Sequence, residues 1–267
     1  MDTLAAWSAS SPIVAALLAS LLGGFVATSV GALPVLFIGK LSPKTGNSML
    51  ALAAGVMLAA TIFSLLIPGY ELAVQMLDSR KLAALGVVVL MMLGGVGMAT
   101  LHRVLPHEHF SKGHEGPQRS RMAQVWLFVL AIAIHNFPEG LAMGVGAASG
   151  DARIGLGVTL GIGMQNVPEG LAVAMALLGL GYERLQSLAV ASLTGAIEVF
   201  GGLVGAGLLS LSQTLLPAAL ALAAGTMLFV ISDEVIPETH RAGYGDSPTA
   251  ALFVGFGLMF FLDVALA

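Results

Sequence analysis

Apolar residues gather in eight stretches, each near the ~20 residues a helix needs to cross a bilayer. They lie at about 12–38, 47–68, 82–104, 124–148, 153–178, 185–209, 215–235 and 249–266. Lipid offers no hydrogen bonds, so a segment that crosses it must satisfy its own backbone, and runs of this length do so as helices. The expected fold is an all-α integral membrane protein with eight transmembrane helices. Gly, Pro and charge mark the joints: Gly39-Lys40-Leu41-Ser42-Pro43-Lys44, Pro68-Gly69-Tyr70-Glu71, Gly150-Asp151 and Gly243-Tyr244-Gly245-Asp246. Only 10% of residues are charged and 57% are apolar, against about 25% charged in soluble domains. The mean hydropathy of +0.93 agrees. The 34 glycines suit helices that pack closely in lipid. There is no cysteine, which excludes disulfides and thiolate metal sites. The first apolar run lacks a basic segment before it and is too long for a signal peptide, so it reads as a first span. Nothing marks a soluble domain, and residues 1–267 are expected to form one transmembrane unit, with no nucleic-acid partner.

Basic residues set the orientation. With both termini outside, the inner loops hold Lys40, Lys44, Arg103, Lys112, Arg119, Arg121, Arg184 and Arg241, and the outer loops hold Arg80, Lys81 and Arg153. Eight against three places the termini outside. The chain also repeats itself. Ala53-Ala54-Gly55-Val56-Met57-Leu58 in span two recurs as Ala223-Ala224-Gly225-Thr226-Met227-Leu228 in span seven, and both spans are expected to end in Ile-Pro, at Ile67-Pro68 and Ile236-Pro237. Spans two and seven run in opposite directions, as do four and five. This is the pattern of an inverted repeat, three helices, two central helices and three helices, which puts a substrate site at the midplane.

The second repeat carries the chemistry. His135-Asn136-Phe137-Pro138-Glu139-Gly140-Leu141-Ala142 in span four returns thirty residues later as Gln165-Asn166-Val167-Pro168-Glu169-Gly170-Leu171-Ala172 in span five. A charge at this depth costs roughly 2.5–3.5 kcal/mol, so placing two there with the same neighbours points to a buried cation site. His135, Asn136 and Glu139 share one face of span four, and Gln165, Asn166 and Glu169 repeat the arrangement on span five. Pro138 and Pro168 are expected to break their helices and free the carbonyls of Ile134 and Met164. Glu198 lies near the centre of span six, and Met57 at mid-depth in span two. Imidazole with carboxylate favours a divalent first-row metal such as Zn²⁺ over Mg²⁺ or Ca²⁺. Two adjacent positions are plausible, Glu139 and Glu169 bridging, one completed by His135 and Gln165, the other by Asn136, Asn166 and Glu198. Three ionised carboxylates without a cation would place a charge of −3 in low dielectric, so metal entry is expected to displace protons. Hydrogen bonding between helices explains any one of these residues alone, but it is a poor account of the whole set at one depth.

These motifs resemble the ZIP (Zrt-/Irt-like) metal transporters, in particular the GufA-like branch, and the resemblance covers nearly the whole chain. It implies a binuclear centre on the residues named above, uptake into the cytoplasm by elevator-like alternating access, and a homodimer in a bacterial cytoplasmic membrane. The substrate implied is Zn²⁺, with Cd²⁺, Fe²⁺ and Mn²⁺ as further candidates and no organic cofactor. Family members often have an aspartate where Asn166 stands, which weakens the second metal position here.

Other polar groups have candidate roles. His107, His109 and His114 lie in the inner loop at 105–123 and are candidates for capturing metal as it leaves, beside the plainer reading of a solvated loop. Asp233 and Glu234, with Glu238 and His240 after them, sit at the inner end of span seven and are candidates for an exit relay. Glu71 and Asp263 are candidates for an entrance at outer helix ends. A passive metal channel would use the same ligands, and saturable rather than linear flux separates it from a carrier. An intramembrane metallo-hydrolase needs an open coordination position and a general base, yet the chain has no His-Glu-x-x-His motif and one intramembrane histidine. No enzymatic activity is expected.

Overall fold

The computed structural model describes residues 11–38, 42–104, 121–179, 181–240 and 245–266. Its helical stretches are α1 (Pro12–Leu36), α2 (Lys44–Leu77), α3 (Arg80–Val104), α4 (Arg121–Ala148), α5 (Ala152–Gly179), α6 (Arg184–Leu211), α7 (Leu216–His240) and α8 (Ser247–Leu266). No strand occurs among the described residues. Six of these helices, α1, α2, α3, α6, α7 and α8, are long and apolar enough to cross a membrane. α4 and α5 run 28 residues each and hold the two polar phrases. The chain is an integral membrane protein. Large side chains left exposed on α3 and α8, such as Leu85, Val89, Met92, Phe253 and Phe261, give these helices lipid-compatible outer faces.

The helix ends follow local chemistry. Pro43 begins the helix that becomes α2, with Ser42 before it accepting the Thr45 N–H at 3.1 Å. Glu183 and Gln186 form a reciprocal capping box at the start of α6. Between α4 and α5 the chain reverses at Gly150, whose φ of 79° disfavours any residue with a Cβ. Arg184 Nη1 donates to the carbonyls of Val35 and Leu36 at 3.2 and 2.7 Å, which satisfies the otherwise orphaned end of α1. Trp126 donates to the Tyr182 hydroxyl at 2.7 Å, a pairing of amphipathic rings suited to a membrane interface.

Two expectations about proline need correction. Ile67-Pro68 and Ile236-Pro237 do not end their helices. Each follows a π-helical turn, at Thr61–Leu66 and Ile231–Val235, and the helix then continues to Leu77 and His240. In these turns the Ile67 N–H bonds the Ile62 carbonyl and the Ile236 N–H bonds that of Ile231, so one extra residue is absorbed ahead of the proline. The stretch Pro68-Gly69-Tyr70-Glu71 is therefore inside α2. Nor are α4 and α5 broken: both pass through Pro138 and Pro168 as unbroken helix. Lipid-embedded helices keep a proline when neighbours and local adjustment satisfy the freed backbone.

Glycines set the closest helix approaches, because a Cβ there would collide with a neighbouring backbone. On α1, Gly31 faces the Val167 carbonyl of α5, and on α6 Gly201 faces the Phe137 carbonyl of α4. Gly170 of α5 abuts the Thr28 backbone of α1, and Gly140 of α4 abuts that of Glu198 on α6. A second group of seams joins the remaining helices. Gly55 of α2 and Gly255 of α8 each sit on the other's helix, at Leu252 and Leu52, and Gly94 of α3 and Gly225 of α7 do the same at Leu222 and Met91. Backbone-on-glycine contact thus ties α1, α4, α5 and α6 together, and separately ties α2 with α8 and α3 with α7.

Candidate metal centre

The two phrases meet in the middle of the first group. Asn136, Glu139, Gln165, Asn166, Glu169 and Glu198 are all buried, with Glu169 the least so at 7% exposure. Such a set of carboxylates and amides would ordinarily be costly in an apolar core, and every polar atom left unpaired adds to that cost. Gln165 Nε2 donates to Glu139 Oε1 at 2.6 Å and links α5 to α4. Asn166 Nδ2 donates to Glu198 Oε2 at 2.8 Å and to the Gly23 carbonyl at 2.7 Å, and Asn136 Nδ2 donates to Glu198 Oε1 at 3.3 Å. Four helices, α1, α4, α5 and α6, therefore contribute to one network.

Each of the three amide nitrogens donates to oxygen, while a distinct set of acceptors has nothing. Asn136 Oδ1, Glu139 Oε2, Gln165 Oε1 and Asn166 Oδ1 are all buried without a hydrogen-bond partner. Buried polar atoms are paired in the great majority of cases, so four unpaired acceptors in one neighbourhood need an explanation. All are oxygen, all lone-pair donors, and their natural counterpart is a cation. The residues present fit a divalent metal held as substrate. The donor set is mixed: among the described residues no three His, Cys, Asp or Glu side chains form a ready-made cage. The His135 side chain lies outside the described residues.

Sequence reasoning missed what α1 adds. At its π-helical turn, Leu21–Val26, the Ala27 N–H bonds the carbonyls of Gly24 and Leu22 and passes over Gly23. The Gly23 carbonyl thus released is the one that accepts from Asn166. Gly24 must be glycine for a related reason, since a Cβ there would lie 2.7 Å from Glu198 Cβ and 3.0 Å from its Oε2. Thr28, one turn further on, is buried, and would lie 2.9 Å from a Cβ at Gly195. A signal for it was available: the register that aligns Gly55 with Gly225 aligns Thr28 with Glu198 and Gly31 with Gly201.

The remaining candidates have their own surroundings. Met57 is buried in an apolar cluster with Met98, Val230 and Ile231, against which Ile134 packs. Glu71 and Asp263 line one cavity of about 220 Å³ with Ser64, Gln75, Asp151 and Arg153, and Ser64 donates to Asp263 Oδ1 at 3.1 Å. Asp233 lies in the π-helical turn of α7, the Glu234 side chain is outside the described residues, and His240 is engaged with Thr239 and Thr249 at 2.8 and 3.1 Å. His107, His109 and His114 lie outside the described residues.

The chain is similar to known proteins along most of its length. A family model of the ZIP zinc transporters matches residues 102–263. The chain is 48% identical to the zinc transporter ZIPB of Bordetella bronchiseptica over 243 residues, covering 91% of this chain and 79% of that one. It is 46% identical to the zinc transporter GufA of Myxococcus xanthus over 252 residues, 94% and 99% of the two chains. To the zinc transporter ZupT of Shigella dysenteriae it is 30% identical over 267 residues, 96% and 97%.

Proposed function

The chain belongs to the ZIP family of zinc transporters, and from that premise we propose that it carries Zn²⁺ into the cytoplasm through the polar centre between α4, α5 and α6. The observation that carries the reading is the set of unpaired buried acceptors, Asn136 Oδ1, Glu139 Oε2, Gln165 Oε1 and Asn166 Oδ1. Glu139 and Glu169 bridge two metal positions in this reading. His135 and Gln165 complete one, and the other is lined by Asn136, Asn166 and Glu198. Mixed nitrogen and oxygen donors suit Zn²⁺ and admit Cd²⁺, Fe²⁺ and Mn²⁺ as competitors.

The same reading takes the chain as eight spans in a 3+2+3 inverted repeat with both termini outside. The reciprocal glycine seams support it: α1 on α5 is matched by α6 on α4, and α2 with α8 by α7 with α3. They also favour a moving carrier. The closest seams within the first group, at Gly31, Gly140, Gly170 and Gly201, meet backbone, whereas between groups Gly157 and Gly161 of α5 meet only side-chain atoms of Ser64, Asp263, Ala60 and Met259. A side-chain surface can slide where interlocked backbones cannot, so α1, α4, α5 and α6 form the element that travels. The cavity at Glu71 and Asp263 is the entrance, and Asp233 with Glu234 lies on the exit. Homodimerisation carries over from the family resemblance, as does the bacterial inner membrane.

The test is metal uptake in proteoliposomes. Saturable Zn²⁺ flux that disappears in Glu139→Ala and Glu169→Ala, with the variants still inserted, is the expected result. Native flux from the double variant would overturn the site, and flux linear in Zn²⁺ would replace the carrier by a channel.

A further inference from the structure

Arg153 lines the cavity at Glu71 and Asp263, and nothing local explains a cation there. The wall is shared by both helix groups: Glu71 comes from α2, Asp263 from α8, and Asp151 and Arg153 from the start of α5. Arg153 stands in the first turn of α5, where the helix dipole disfavours positive charge. Asp151 already supplies what this helix end needs, its Oδ1 accepting the Arg153 N–H at 2.9 Å. Among the described residues the guanidinium has one ion pair, to Asp151 Oδ2 at 3.8 Å, and its side chain is 63% exposed. A pair so long and so open to water holds little. Neither Glu71 nor Asp263 is paired with it, and Asp263 Oδ1 accepts from Ser64 at 3.1 Å. Three carboxylates thus share about 220 Å³ with one loosely held cation, which leaves the charge that a single divalent ion neutralises.

We propose that Arg153 is a tethered counter-ion of the entrance: its guanidinium and the incoming metal compete for Glu71 and Asp263, and it sets how tightly the cavity holds Zn²⁺ without touching the ion. The inference rests on the entrance reading above and deepens it. A cavity acidic enough to draw a cation from water is also acidic enough to keep it, and passage requires binding weak enough to end. Arginine suits the task because its planar fork fits a carboxylate and is only weakly hydrated. Its position matters too. Arg153 belongs to the group that travels in this reading, and Glu71 and Asp263 to the other, so its reach to them changes as the groups slide.

Initial rates of Zn²⁺ uptake into proteoliposomes test this, with the full-length chain native and as Arg153→Gln, Arg153→Lys, Asp263→Ala and the Arg153→Gln/Asp263→Ala pair. Arg153→Gln removes the competitor, and its KM is expected to fall about two- to five-fold, the range of an exposed ion pair, while the maximal rate stays level or drops. Arg153→Lys keeps the charge and stays near the native KM. In the Asp263→Ala background the fall shrinks, because one of the contested carboxylates is gone. Arg80→Gln removes an outer cation that does not line the cavity, and leaves KM unchanged. An unchanged or raised KM in Arg153→Gln, beside a raised KM in Asp263→Ala, overturns the counter-ion and leaves the entrance standing. An Arg153→Lys KM as low as that of Arg153→Gln overturns it as well. So does an equal fall in Arg80→Gln or in the Asp263→Ala background, since either shows a general field effect and not competition. A KM that Asp263→Ala does not move removes the entrance itself, and the counter-ion with it.

Discussion

Replacing Glu139 by glutamine separates what its carboxylate does for the fold from what it does for the metal. Glu139 Oε1 accepts the Gln165 N–H at 2.6 Å, and Oε2 has no partner. A glutamine retains one acceptor oxygen, so the link between α4 and α5 survives as a neutral bond. Bonds to a charged group are about twice as strong as neutral ones, which puts the loss on the order of 1 kcal/mol. Against it stands the removal of a buried charge, whose desolvation costs several kcal/mol. The metal-free variant should therefore be as stable as the native protein, or more so. With metal the outcome reverses. At Zn²⁺ one hundred times above its dissociation constant the native protein gains about 2.7 kcal/mol of stability, and most of that gain needs the Glu139 charge. Thermal unfolding in detergent, run in parallel with EDTA and with Zn²⁺, reads both terms. The expected result is an unchanged or raised melting temperature with EDTA, a greatly reduced Zn²⁺-induced rise, and lost flux in proteoliposomes. A Zn²⁺-induced rise of native size would refute Glu139 as a ligand. Failure to fold in EDTA would show instead that the carboxylate holds the helices together.

The glycine seams make a paired prediction: Gly31→Ala and Gly201→Ala each press a methyl onto a backbone carbonyl, of Val167 and of Phe137, and should destabilise by roughly 1–3 kcal/mol or more. Gly97→Ala and Gly207→Ala, where a Cβ meets nothing within 4 Å, should leave the melting temperature unchanged or raise it. Asn166→Asp adds a charged oxygen at the second metal position, so titration with Cd²⁺ should show tighter binding at the weaker step; no gain would count against Asn166 as a donor. Asp263→Ala removes an acid from the cavity proposed as the entrance while leaving the centre intact, and should raise KM for Zn²⁺ uptake more than it lowers the maximal rate. An unchanged KM would remove Asp263 from the entrance.

Much of this protein is legible in its sequence because lipid imposes simple demands. A spanning segment must be long, apolar and self-satisfied, so helix positions can be read from apolar runs, and the polar phrases that violate the rule announce the site. The repeat also marks Gly55 and Gly225, two glycines that the structure places against the backbones of α8 and α3. Proline was the misleading signal. Pro68, Pro138, Pro168 and Pro237 all read as interruptions, yet each lies within a helix that continues, at Pro68 and Pro237 directly after a π-helical turn.

The sequence alone determined which polar residues share a face of one helix, Asn136 with Glu139 and Asn166 with Glu169, since that follows from spacing along it. Only the tertiary structure decided which atoms remain available. Glu198, Asn136, Asn166 and the Gly23 carbonyl come from four helices far apart in the chain, and their hydrogen bonds depend on how closely α1, α4, α5 and α6 approach. Spacing records the direction of a side chain from its own helix, but the donor or acceptor it will face belongs to another helix, and that is settled by packing.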